Sequence, residues 1–142
     1  MKKKLIFMAM LTVLIALCFT GCDLFAKAKS IVITDIPSTY NTKFGVVGLV
    51  DKNNKAVAVS LPVTIAGGQF EGELLDENGN EFTDKGTYYV VLLVYSDASG
   101  KSDKVIHSAV KANQKIEDEV TTISYNKFTP ESLSSIKSLF LK

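Results

Sequence analysis

The sequence predicts an all-β fold, a single antiparallel β-sandwich of about seven strands or a small barrel, followed by a short C-terminal amphipathic helix. Three observations lead there. Between residues 31 and 128, short runs rich in β-branched and aromatic residues alternate with clusters of Gly, Asn, Asp and Ser. The longest run, TYYVVLLVYS (87–96), is apolar on both strand faces, which suits a central strand covered on both sides. Helical spacing of apolar residues appears only after residue 128. At 142 residues the chain has room for one domain core.

The elements run in order. IVITDI (31–36) ends at Pro37, and KFGVVGLV (43–50) ends at the turn DKNNK. AVAVSLPVTI (56–65) is interrupted by Pro62, which cannot donate to a ladder, and is closed by Gly67 and Gly68. QFEGELL (69–75) alternates Phe70 and Leu74 with Glu71 and Glu73, and the turn DENGN comes next with an Asn78-Gly79 pair that favours a type I′ hairpin. After residues 87–96 come the turn SDASGKSD, then KVIHSAVK (104–111) and TTISYNKF (121–128). In residues 129–142 Thr129 is placed to cap a helix, with Pro130 at its first position and Glu131 in its first turn. Leu133, Ile136 and Leu139/Phe140 then form one apolar stripe, expected to cap an open end of the sandwich or to dock on a partner.

Ahead of the β runs the chain reads as a leader. Lys2, Lys3 and Lys4 form a positive start, and residues 5–19 are apolar except for Thr12. Those 15 residues fall short of the roughly 20 that a spanning helix needs, so a secretory signal fits better than a membrane span.

Phe19, Thr20, Gly21 and Cys22 close the leader as FTGC, which resembles the lipobox of bacterial lipoproteins, with Phe19 where Leu is usual. The resemblance implies cleavage before Cys22, a diacylglycerol thioether on its sulfur and usually an acyl chain such as palmitate on the new amino group. Two or three chains at about 0.8 kcal/mol per buried CH₂ hold a protein on a membrane without spanning it. A second resemblance lies in the β region. Ile33-Thr34-x-Ile36-Pro37-Ser38-x-Tyr40-Asn41-x-Lys43-Phe44, with Gly86-Thr87-Tyr88-Tyr89-Val90 some forty residues on, is similar to a repeat of envelope lipoproteins from treponemes and gut anaerobes. Thr42 stands where that pattern has Gly. The resemblance implies a β-sandwich on a lipid anchor and carries no catalytic residues.

The expected organisation is therefore a signal over 1–21, a lipidated Cys22 and short tether over 22–30, a β-sandwich over 31–128 and a helix over 129–142. The chain's two cysteines are Cys18, inside the leader, and Cys22, so the mature domain has no thiol left for a disulfide. All 16 basic residues are lysines, and losing the three in the leader leaves 13 against 15 acids. With no arginine fork and a slightly negative balance, nothing favours nucleic acid.

Candidate chemistry is sparse. His107 is the only histidine, and Ser108, its only serine neighbour in sequence, falls on the opposite strand face, so a half-buried histidine satisfied by a neighbour is the expected reading. Asp76, Asn78, Asn80 and Asp84 place oxygen donors in one turn and are weak candidates for a calcium loop, but Glu81 and Thr87 stand where such a loop needs Gly and Glu. Gly100-Lys101-Ser102 ends like a phosphate loop but has Tyr95 where its first glycine belongs. The aromatic side chains are expected to fill the core and rim rather than form a platform. Taken together the sequence predicts an extracytoplasmic, membrane-anchored, non-enzymatic binding or structural module with no cofactor and a protein or glycan partner. The alternatives are an assembly subunit that docks by a strand edge or the C-terminal helix, and a calcium-dependent adhesin or hydrolase using the acidic turn.

Overall fold

The computed structural model describes residues 28–132 and 134. Strand accounts for more than half of these residues, and no helix of seven or more residues occurs among them. The strands are β1 (Ser30–Thr34), β2 (Phe44–Val50), β3 (Ala56–Ser60), β4 (Val63–Thr64), β5 (Phe70–Leu75), β6 (Gly86–Tyr95), β7 (Val105–Ile116), β8 (Val120–Ser124) and β9 (Thr129–Pro130). They join in one sheet in the order β8-β1-β5-β3-β2-β6-β7-β9, with β4 paired to β2.

The sheet curls into a half-barrel rather than stacking as two separate layers. Its corner is β5. Residues Phe70 to Glu73 pair with β1, whereas Leu74 and Leu75 pair with β3, so one strand serves both arms. The corner also depends on two close approaches. A Cβ at Gly72 would stand 2.5 Å from Phe70 Cζ, and one at Gly45 would stand 2.6 Å from Phe70 Cδ2. Only glycine on β2 and β5 leaves room for that ring, which is 1 % exposed. Ile31, Ile33 and Ile123 from one arm then meet Leu49, Val90 and Leu92 from the other in a single core cluster.

The sheet is mixed, not antiparallel throughout, because β1 and β8 run parallel over Ser30 to Thr34 and Val120 to Ser124. Pro62 splits the expected third run into β3 and β4, and the Ser60 hydroxyl accepts the Val47 N–H at 2.9 Å where backbone pairing lapses. β7 runs five residues beyond the predicted end, to Ile116. That extension is polar because it lies near the sheet's edge, and Asn113, in the left-handed region at φ 56°, accompanies a register shift against β6.

Two local expectations are corrected. Asn78 does not enter the left-handed region that a type I′ turn requires. Only Gly79 does, at φ 82°, and the turn is closed by Gly79 N–H to Asp76 C=O at 3.0 Å. Thr129 and Pro130, expected to start a helix, form a strand instead: Thr129 pairs with Val110 and Pro130 with Ala109 on β7. Pro130 is tolerated because this short strand is an edge that needs no N–H from it. The rest of the expected helix, 133 and 135–142, lies outside the described residues.

Candidate functional site

Two features of the sheet are candidates for a site: a groove on its outer face and an aromatic cluster at one mouth of the half-barrel. The groove arises from the strand registers. Val46 pairs with Leu93, and Gly48 pairs with both Val91 and Val59, so these side chains share the outer face. Gly48 contributes no side chain between Val46 and Val50. The result is a groove of about 360 Å³ walled by Val46, Val59, Pro62, Val91, Leu93 and Tyr95. Leu61, two-thirds exposed, lies next to Pro62 in sequence.

At the mouth, Tyr40 stacks on His107 with ring centroids 5.0 Å apart and planes at 18°. His107 Nε2 and the Tyr125 hydroxyl share a hydrogen bond of 2.6 Å, and Tyr125 stacks in turn on Phe128. Burial pushes the His107 imidazole below its usual range and the Tyr125 phenol above its own, the latter helped by Tyr40. Both shifts favour the neutral pair. Val94 pairs with His107 while Leu93 pairs with Ser108, which puts the histidine on the inner face and the serine on the outer one. Ser108 donates from its hydroxyl to the Glu131 carbonyl. His107 and Ser108 are thus each engaged elsewhere and do not meet as base and nucleophile, as the strand alternation predicts.

Residues of the 33–44 stretch build the fold. Ile33 and Ile36 are buried in the core, Tyr40 covers His107, and Asn41 Oδ1 accepts the Gly68 N–H at 2.9 Å. Thr42 sits at φ 71°, in the left-handed region where a glycine would be unstrained.

Phe19, Thr20, Gly21 and Cys22 lie outside the described residues. In the acidic turn, Asp76 Oδ1 accepts the N–H groups of Asn78 and Asn80, both at 2.9 Å. Asp76, Asn78 and Asp84 line one shallow hollow with Lys55 and Glu81, and the Asn80 carbonyl accepts the Asp76 N–H at 2.7 Å. No group of three or more His, Cys, Asp or Glu side chains placed to hold a metal occurs among the described residues. The Asp76 carboxylate shapes the turn.

Gly100-Lys101-Ser102 forms a turn in which Asp97 accepts from Ser99 and Lys101 N–H donates to the Ser99 hydroxyl. Two features went unread in the sequence. The groove requires pairing registers that no run reveals alone. Lys29 is the other: it is 3 % exposed and its ammonium donates to the Glu117 carbonyl at 2.8 Å, joining the start of β1 to the turn after β7. Its signal would have been a lysine directly before a strand, which is too common to single out.

No protein-family model, curated protein or solved structure matches the chain.

Proposed function

We propose that the chain is a lipid-anchored protein of the cell envelope that works by binding rather than by catalysis. The observation that carries this reading is the FTGC sequence at Cys22, set at the end of an apolar run behind three lysines, with seven residues between it and Ser30. Ser30 opens β1. On this reading lipid is attached through Cys22, and the tether, at most about 25 Å long when extended, holds the half-barrel close to the membrane on the outer side. Binding is favoured over catalysis by the engagement of the reactive side chains: His107 with Tyr125, Ser108 with Glu131 and Asp76 with its own turn. Its partner is a protein or a glycan.

Cys22→Ser tests the reading. The variant is expected in the soluble fraction of the envelope, with the melting temperature of the domain unchanged, and with no lipid mass on the purified protein. A Cys22→Ser protein that still sediments with membranes after detergent-free washing overturns it.

A further inference from the structure

The outer face of β2 and β6 carries a second cluster, made of Val46, Val50, Val91, Leu93 and Tyr95. All five are 7 % exposed or less. Sheet residues become that inaccessible on a face only when a further layer lies over them. The partly buried hydrophobics packed on this cluster are Phe44, Val105 and Val110, which belong to β2 and β7 and so to the same sheet. They rim the cluster, and Pro62 and Gly100 line the groove beside it. On β5, where the outer face is wet, Glu71 and Glu73 are exposed.

The C-terminal end of the described chain is held beside that face. Ser108 pairs with Leu93, so both side chains point outward. The buried Ser108 hydroxyl donates to the Glu131 carbonyl, and the Glu131 N–H donates to the Ser108 carbonyl at 3.1 Å. Glu131 is therefore pinned to Ser108 on the β9 flank of β7, with β7 between it and Leu93. Beyond Glu131 the chain is rich in apolar residues, with Leu133, Ile136, Leu139, Phe140 and Leu141. From Glu131, on the β9 side of β7, Leu93 on β6 is two strand spacings away, about 10 Å, and Val59 on β3 is four, about 19 Å, at about 4.8 Å per strand. Residues 133–142 span about 15 Å if coiled and about 33 Å if extended, so in either form they pass over Leu93 and bring their last residues to the groove or to its near edge.

We propose that residues 133–142 supply this second layer, crossing the outer face of β7, β6 and β2 and seating their apolar side chains over Leu93 and in the groove beside Val59. The layer is a part of the domain's own chain, and the proposal stands whether or not Cys22 carries lipid.

The test uses the full chain with Cys18→Ser and Cys22→Ser, which is free of cysteine. Ile136→Asp is expected to lower the melting temperature by more than about 5 °C and to raise the fluorescence of an apolar dye several-fold, while Lys137→Asp leaves both unchanged. In the same background, Val59→Cys with Phe140→Cys is expected to be bridged within one molecule by a short bis-maleimide. Unchanged melting and dye binding in Ile136→Asp overturn the proposal. So does bridging only between two molecules, which would make a second copy the cover. A further overturning result is loss of the dye difference once residues 1–21 are removed, which would make the leader the cover.

Discussion

β5 and β6 lie in the same sheet and are built on different rules. Along β5 the side chains alternate, with Phe70, Gly72 and Leu74 buried and Glu71 and Glu73 exposed. Along β6 all six residues from Val90 to Tyr95 are buried. The arm containing β5 and β1 has one wet face, whereas the arm containing β2 and β6 is dry on both. Hydrophobic period in a strand therefore reports how many layers cover it, not only that it is a strand. A single curled sheet can hold both kinds because each arm meets solvent or cover independently.

The largest expected effect breaks or confirms this contrast directly. Leu92→Ala, on the inner face of β6, is expected to cost about 2–5 kcal/mol in urea unfolding. Leu93→Ala, one residue on and on the outer face, is expected to cost about 2–4 kcal/mol, while Glu73→Ala, also outward but on β5, stays within about 0.5 kcal/mol. If Leu93→Ala proves as mild as Glu73→Ala, the two arms do not differ. Next in size is the corner that joins them. Gly72→Ala pushes a methyl group against Phe70 and the Ser60 Cβ, 2.9 Å away, and is expected to cost about 1–3 kcal/mol as overpacking.

Much of this contrast was legible in the sequence, and the reason is local. Residues 87–96 are apolar at every second position and at the positions between, and residues 69–75 alternate, so double and single coverage were both written in the runs. Pro62 marked the break between β3 and β4 because its ring removes a donor wherever it sits. What was not legible depends on contacts between distant residues. The parallel pairing of Ile31 with Thr121, the strand-sharing of β5 and the edge pairing of Pro130 with Ala109 leave no periodic trace. Thr129 and Pro130 read as a helix start on local chemistry, and tertiary pairing with β7 overrides it. For the candidate site, the separation of His107 from Ser108 was readable from alternation alone, whereas Tyr40 and Tyr125 as the partners of His107 were not.

Two smaller effects sharpen the comparison at the mouth where the arms meet. Thr42→Gly relieves a β-branched residue held at positive φ, a gain of about 1–2 kcal/mol less the chain entropy of glycine, and should stabilise by about 0.5–1 kcal/mol in the same titration. A loss of stability would show that the Thr42 side chain has a packing role. The smallest effect is on pH dependence. His107 on β7 reaches Tyr125, which comes directly after β8, and burial holds the imidazole below its unfolded value of about 6.5. The unfolded chain therefore binds the proton more readily. Its contribution is present above pH 6.5 and is lost as the pH falls through the folded value. His107→Gln should flatten the stability profile between pH 7 and pH 5 relative to the parent, and an identical slope in both proteins would show that the pair does not join the arms energetically.

The position of β1 has a mechanical meaning. Its first residue, Ser30, is where the chain enters the sheet, and β1 is held on one side by β5 and on the other by β8. A pull on the preceding segment is directed along β1, across ladders whose bonds lie transverse to it. Such a load must shear the register from Ser30 to Thr34 on one flank and from Ser30 to Ile33 on the other at once, rather than peel bonds one at a time. The Lys29 ammonium on the Glu117 carbonyl adds a cross-tie where that force arrives. A domain tugged from its N-terminal side thus resists at its strongest angle, and it should yield at far lower force when pulled from β9, whose two paired residues unzip in turn.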